Sequence, residues 1–379
     1  MPSARSSSAT AVSSRRSTAD SGVAWLESLS PWPEEFGLGR MRRLLASLGD
    51  PQLTFPSIHV VGTNGKTSTT LMTAALLRDA GIRTGAYVSP HVRGWSERIQ
   101  VDGADANLES VVERVRPHAA GATQFEVMTA AALAEFAARG VDAAVVEAGL
   151  GGRLDATNVL DARVVVLTNV ALDHTEVLGA TREEIAGEKL AVVSPGSVVV
   201  LGEREWEGPA LEAGASRVDV VSRSNLALAV AAAEAFLGRE VDPSAAEAVS
   251  VPGRLEHRSE HPLEIWDGAH NLAGVGYLLA RLPTRRYVLV ASILADKRPE
   301  EMLRALTPLG DTLVATTSGN ARALPAEELA NVARPHFANV EAEPDPVAAV
   351  ERARAIAGPD GAVLVTGSLY LLGALSERG

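Results

Sequence analysis

Short apolar runs alternate with longer stretches of helical periodicity along most of this chain. The run at 57–62 (SIHVVG) predicts a strand, followed by a glycine-containing turn and a helix to about Ala80. A second strand is expected at 84–89. Over 125–139, Phe125, Met128, Ala132 and Phe136 fall at helical spacing. Strands are predicted at 142–147, 163–169 and 198–201. Helices are predicted at 181–193, with Glu183 and Glu184 in the first turn, and at 225–237, closed by Gly238. The pattern restarts after Pro252, with strands expected at 263–266, 287–291, 312–316 and 362–366 and helices at 299–307, 325–332 and 346–357. Apolar, β-branched strands alternating with helices indicate parallel sheets covered by helices. Patterning lapses near 242–252, so the chain reads as two α/β domains, 21–245 and 252–379, joined by a linker at 246–251. Ligands of open α/β sheets bind beyond the carboxyl ends of the strands, which makes the cleft between two such domains the expected site. Residues 1–20, rich in Ser, Ala and Arg, read as a disordered tail.

Composition narrows the chemistry. A net charge of −12 argues against a nucleic-acid partner, which calls for a basic face. The absence of cysteine excludes disulfides, thiol catalysis and cysteine-bound zinc. No run of about 18 apolar residues suits a membrane span. No apolar stretch follows Arg15 and Arg16 as in a signal peptide, so a cytoplasmic protein is expected. Of 35 basic residues only Lys66, Lys189 and Lys297 are lysine. An amine can be deprotonated or react with a carbonyl, whereas a guanidinium cannot, so each lysine stands where arginine would not serve.

Lys66 falls in Gly62-Thr63-Asn64-Gly65-Lys66-Thr67-Ser68, between a predicted strand and a predicted helix. That is the context of a phosphate-binding loop. Glycines let backbone N–H groups approach phosphate oxygens, the helix N-terminus adds partial positive charge, lysine reaches a terminal phosphate, and a hydroxyl of Thr67 or Ser68 can ligate Mg²⁺. Val60 stands where the first glycine of the common eight-residue signature would be.

Gly-Thr-Asn-Gly-Lys-Thr resembles the phosphate loop of the Mur ligase superfamily. The flanking segments resemble its folylpolyglutamate synthase / dihydrofolate synthase branch. They include Ser89-Pro-His91, Glu97-Arg98-Ile99, Phe125-Glu126-Val127, the run from Glu147 to Asn158, Asp173-His174, Pro252-Gly-Arg254, Asp267-Gly-Ala-His270-Asn271, Ala295-Asp-Lys297 and Gly367-Ser368-Leu-Tyr370. The resemblance implies a P-loop-type parallel-sheet domain, then a smaller Rossmann-like α/β domain, with the active site between them. It also implies a reaction: ATP phosphorylates a folate-type carboxylate and the amine of L-glutamate attacks the acyl phosphate. The partners would be ATP, two Mg²⁺ ions, a folate or pteroate acid and L-glutamate, acting on a monomer.

The roles implied are specific. Thr63, Asn64, Gly65, Lys66, Thr67 and Ser68 would hold phosphates. Glu147, at the end of an apolar strand, would join Thr67 or Ser68 on Mg²⁺, with Ser89 and His174 near a second ion. Lys189 would be carbamylated. Arg254 would reach ATP phosphates across the cleft, Asp267 would meet the ribose, and His270 would lie near phosphate or glutamate. Lys297 and Ser368 would face glutamate, and Phe125 would border the folate.

Two features depart from the branch. The stretch between 200 and 225 is short and lacks a Gly-x-His-Gln segment, implying loss of an edge hairpin, and Lys-Thr-Ser replaces the more usual Lys-Gly-Ser. The second spelling is nearer the cell-wall ligases, so a related ligase acting on another carboxylate is the alternative. A nucleotide-binding pseudoenzyme is disfavoured, since Lys66, Glu147 and Lys189 are all present.

Overall fold

A computed structural model describes residues 21–378; the segment read as a tail, 1–20, lies outside them. Eight strands form the first sheet: β1 (Ser57–Val61), β2 (Thr84–Tyr87), β3 (Ile99–Val101), β4 (Ala104–Asp105), β5 (Ala143–Glu147), β6 (Val164–Leu167), β7 (Val198–Leu201) and β8 (Arg217–Val220). Their order is β4-β3-β2-β5-β1-β6-β7-β8. The central strands are apolar on both faces because both faces are covered. Ile58, Val60, Val145, Val164 and Val166 pack under the Lys66–Asp79 and Asn225–Leu237 helices. On the other face, Val146 lies under the Gln124–Arg139 helix, while Val165 and Leu167 lie under the Arg182–Leu190 helix.

The second sheet contains β9 (Glu256–Glu260), β10 (Leu263–Trp266), β11 (Val288–Ala291), β12 (Thr312–Ala315), β13 (Asn339–Ala342) and β14 (Ala362–Thr366), in the order β13-β12-β11-β14-β10-β9. Glu264 interrupts its apolar core, fully buried on β10. Bidentate contacts from Arg354 at 2.6 and 3.0 Å and the Trp266 indole N–H at 2.7 Å satisfy it.

The expectation of parallel sheets needs correction at three strands at or next to a sheet edge. β3 is antiparallel to β2, β4 to β3, and β9 to β10. The β3–β4 pair turns at Asp102 and Gly103, both at positive φ, as a tight hairpin requires. β4 has two exposed residues, β9 is wholly polar, and the Ile99-Gln100-Val101 alternation of β3 is too short to declare a strand. The stretch between 200 and 225 forms a short helix, Glu207–Glu212, followed by the parallel edge strand β8. The expected linker also begins later than predicted: Ser244–Glu247 is a helical turn whose fully buried Ala246 packs in the core of the first sheet.

Candidate active site

The loops leaving the carboxyl ends of the two sheets face one another across a cleft of about 1290 Å³. From the first sheet, β1 leads to the phosphate loop, β5 ends in Glu147, β2 leads to Ser89 and β6 leads to Asp173 and His174. From the second, β10 leads to Asp267 and His270, β11 to Lys297 and β14 to Ser368.

Gly65 caps the Lys66–Asp79 helix at φ 84°, and a Cβ there would lie 2.4 Å from the Asn225 side-chain oxygen. Only glycine accepts both constraints. The loop is anchored from β6: Thr63 N–H donates to the Asn169 carbonyl at 2.9 Å, and the Asn64 carbonyl accepts from the Thr168 hydroxyl at 2.7 Å and the Asn169 amide at 2.8 Å. Lys66 Nζ folds back on the carbonyls of Gly62 and Thr63 at 3.2 and 3.3 Å.

Of the two candidate hydroxyls, the structure brings Thr67 to Glu147: its Oγ1 donates to Oε1 at 3.1 Å. Ser68 is buried in the same helical turn. Ser89 reaches Glu147 through its backbone N–H, which donates to Oε2 at 3.1 Å. Burial raises the Glu147 carboxyl to about 7, against the opposing pull of Lys66, the Ser89 N–H, Thr67 and Arg254. A buried carboxylate beside a hydroxyl, with phosphate oxygens to complete the shell, fits Mg²⁺. His174 is arranged differently. Its Nε2 lies 3.4 Å from Lys297 Nζ, so the ring faces an ammonium group. Among the described residues, no group of three or more His, Asp or Glu converges as a ready-made metal site.

Lys189 is buried near the end of the Arg182–Leu190 helix and donates to the Gly62 carbonyl at 3.0 Å. Burial, reinforced by Lys66, lowers its amine to about 7. Close backbone approach at Gly152 holds it there. A Cβ on Gly152 would lie 2.5 Å from the Glu188 carbonyl oxygen and 2.8 Å from that of Lys189. Because those obstacles are backbone, Gly152→Ala is expected to destabilise the protein by about 2 kcal/mol. Urea denaturation showing wild-type stability would mean that the approach is not needed.

Lys297 does not stand free for a glutamate carboxylate. Its Nζ forms an ion pair with Asp173 Oδ1 at 2.5 Å, because the two loops meet across the cleft with both side chains nearly buried. Burial disfavours ionised Asp173, but the Lys297 hydrogen bond and charge outweigh it and hold the carboxyl at about 2. Asp173 Oδ2 also accepts from the Asn271 amide at 2.9 Å, and the same amide donates to Asn64 Oδ1 at 3.1 Å. The second sheet is thus tied directly to the phosphate loop. The sequence gives Asp173 and Asn271 no role of their own beyond standing beside His174 and His270.

Other expected residues line the cleft with their side chains already engaged. Both Asp267 oxygens accept backbone N–H groups, from Leu255 and Ala269, at 2.9 Å. Ser368 caps the Leu369–Ser376 helix through the Tyr370 N–H at 3.1 Å. His270 bonds the Gly268 carbonyl at 2.8 Å, and burial lowers its pKa to about 4. Arg254 lines the cleft and forms no ion pair among the described residues. Phe125 packs over Gly149, where a Cβ would lie 2.4 Å from its Cζ, and beside Tyr87 at a centroid distance of 6.2 Å. One buried hydrogen-bonded chain joins residues whose connection the sequence does not show. His59 Nε2 lies 2.8 Å from the Thr157 hydroxyl, which lies 2.5 Å from Asp155 Oδ1, and Asp155 Oδ2 accepts the Leu150 N–H at 2.7 Å. It pins the 149–158 loop to β1.

Two α/β bodies facing each other over a phosphate loop define the Mur ligase class. Residues 60–233 match the Mur ligase middle domain, and residues 253–369 match the Mur ligase glutamate ligase domain. The dihydrofolate synthase/folylpolyglutamate synthase of Mycobacterium tuberculosis is 34% identical, over 90% of this chain and 90% of that protein. That of Bacillus subtilis is 31% identical over 94% and 97%. Among solved structures, M. tuberculosis folylpolyglutamate synthase complexed with ADP superposes with a TM-score of 0.85 at 33% identity, covering 94% of this chain and 97% of that one. Escherichia coli FolC in complex with DHPP and ADP gives 0.84 at 30% identity, covering 95% and 98%. The chain belongs to the dihydrofolate synthase/folylpolyglutamate synthase family.

Proposed function

We propose that this protein uses ATP to phosphorylate the carboxylate of a folate-type acid and joins the activated acyl group to L-glutamate. The observation that carries the reading is the convergence of Lys66, Glu147 and Lys189 around one phosphate loop, faced by Arg254 from the second sheet. Phosphorylation brings two anions together, so the site must supply positive charge where they meet. The loop N–H groups and Lys66 would hold the phosphates, and Arg254 would add a guanidinium from across the cleft. Thr67 and Glu147 would hold Mg²⁺, which when bound supplies charge screening for the phosphates. The donors that converge define one such position.

Lys189 is suited to carbamylation. Its amine, at about 7, is substantially unprotonated near neutrality, as attack on CO₂ requires, and Lys66 lies near enough to offset the resulting negative charge. The nitrogen bonds to the carbon of CO₂, one C=O π pair moves to oxygen, and the nitrogen releases a proton. The acceptor end is apolar. Trp32, Phe36 and Leu154 line the cleft while 50%, 48% and 44% exposed, and Phe125 lies nearby in the same wall. Aromatic surface left open at a cleft mouth suits a flat heteroaromatic acid. Since one chain supplies both walls, the working form is taken to be a monomer.

The test is a panel of dihydropteroate, reduced folates and unrelated acids, each with ATP, Mg²⁺ and glutamate, with products read by mass spectrometry. ADP release and a glutamyl amide are expected with dihydropteroate, tetrahydrofolate or both. Turnover with neither, but with another acid, would replace the folate reading with that of a related ligase. ATP binding without turnover of any acid would leave a pseudoenzyme.

A further inference from the structure

Of the cleft's cations outside the scheme above, Arg40, Arg223 and Arg322 are held in ion pairs with Glu126, Glu203 and Asp296, and Arg281 lies over the Tyr277 ring; Arg98 remains. Arg98 lines the cleft with Phe125 and, from the second sheet's side, Ser368 and Tyr370. Its Nε donates to His91 Nδ1 at 2.9 Å, and its Cζ stands 4.3 Å from the Trp95 ring centroid. His91 in turn packs on Trp95 with centroids 4.5 Å apart. Burial, and then the Arg98 charge, keep His91 neutral, at about 3, so its Nδ1 can accept.

The adjacent carboxylate is committed elsewhere. Glu97 accepts the backbone N–H groups of Val92 and Arg93 and pairs with the Arg93 side chain at 3.7 Å. Among the described residues Arg98 has no ion-pair partner, and its four Nη hydrogens have no hydrogen-bond acceptor. A half-buried guanidinium, fixed by an aromatic face and a neutral acceptor, with its fork unfilled, is built to take a carboxylate in bidentate fashion.

The reaction proposed above brings several anions to this cleft. The phosphates have the loop, Lys66 and Arg254. The reacting carboxylate needs a free lone pair to attack phosphorus, and a guanidinium fork would tie up both oxygens. An acceptor that already ends in an amino-acid residue carries a second, non-reacting carboxylate beside the first. We propose that Arg98 is the receptor for that second carboxylate, and so sets the preference between a pteroate-type acid with one carboxylate and a glutamylated folate with two. The proposal rests on the folate-ligase reading and names a specificity residue within it.

The experiment measures dissociation constants for dihydropteroate and for dihydrofolate, its glutamyl amide, with a non-hydrolysable ATP analogue and Mg²⁺ present. Wild-type protein is expected to bind dihydrofolate about ten-fold more tightly, and Arg98→Ala to lose that advantage. Arg98→Lys keeps the charge without the fork and should lose part of it; this variant decides the matter if Arg98→Ala does not melt cooperatively. The proposal is overturned if wild type shows no advantage, if the advantage survives in the variants, or if both acids weaken equally. A rise confined to the KM for free glutamate would also overturn it, by placing Arg98 at the amino-acid end. Failure of wild type to bind either acid is a different result: it removes the folate reading, and this proposal with it.

Discussion

Glu147→Gln should reduce ligation by about a thousand-fold or more while making the ligand-free protein more stable at pH 8. The two effects have one origin. Glu147 is 2% exposed, and its contacts in the free site are the neutral Thr67 hydroxyl and Ser89 N–H. A carboxyl raised from 4.5 to about 7 by burial penalises the folded state by about 3 kcal/mol once it is ionised in both states. The sign follows from proton binding. Between pH 4.5 and 7 the folded protein holds this proton more tightly than the unfolded chain, so the stability it contributes is lost as pH rises through that window. Glutamine is neutral at every pH. Its amide can serve the same two neighbours, with the Thr67 hydroxyl turned to accept. The stability gain should therefore be near zero at pH 5 and up to about 3 kcal/mol at pH 8 in urea denaturation without nucleotide or Mg²⁺. A variant no more stable than wild type at pH 8 would refute the view that this carboxylate is strained for its task.

Lys189→Arg should lower kcat/KM by about a hundred- to a thousand-fold and change ATP affinity by only a few-fold. Arginine keeps the positive charge and can still donate to the Gly62 carbonyl, so simple charge support predicts a mild effect. A role that needs the free amine predicts a severe one, because the guanidinium neither deprotonates nor adds CO₂. Depleting bicarbonate should slow the wild type and leave the residual activity of the variant unchanged. A carbamate carbon resonance from ¹³C-bicarbonate should appear in wild type alone. Full activity in Lys189→Arg would end the carbamate reading.

Much of both sheets was readable because their buried strands are mostly apolar on both faces. β7, β10 and β14 begin and end where the patterning places them, as does the Asn225–Leu237 helix with its Gly238 cap. The elements that escaped are edge strands and short helices. Glu256–Glu260 contains no apolar residue, since an edge pairs through its backbone and exposes its side chains. The site divides in a similar way. The phosphate loop is local, with its glycines, lysine and hydroxyl falling within a few residues of one another. Lys297, by contrast, is 124 residues from Asp173, and Asn271 is 207 from Asn64, so nothing in either neighbourhood announces the partner.

By itself the sequence determined the layered α/β architecture, the phosphate loop and the identity of the scarce amines, because hydrophobic periodicity and loop chemistry are written in adjacent residues. Only the tertiary structure decided which groups meet. It chose Thr67 over Ser68 for Glu147, engaged Lys297 with Asp173, used Ser368 as a helix cap, and left the Arg98 fork open to the cleft. The physical reason is that burial and pairing across a cleft depend on how distant loops converge. The same side chain is a ligand, a cap or half of an ion pair according to what the fold sets beside it.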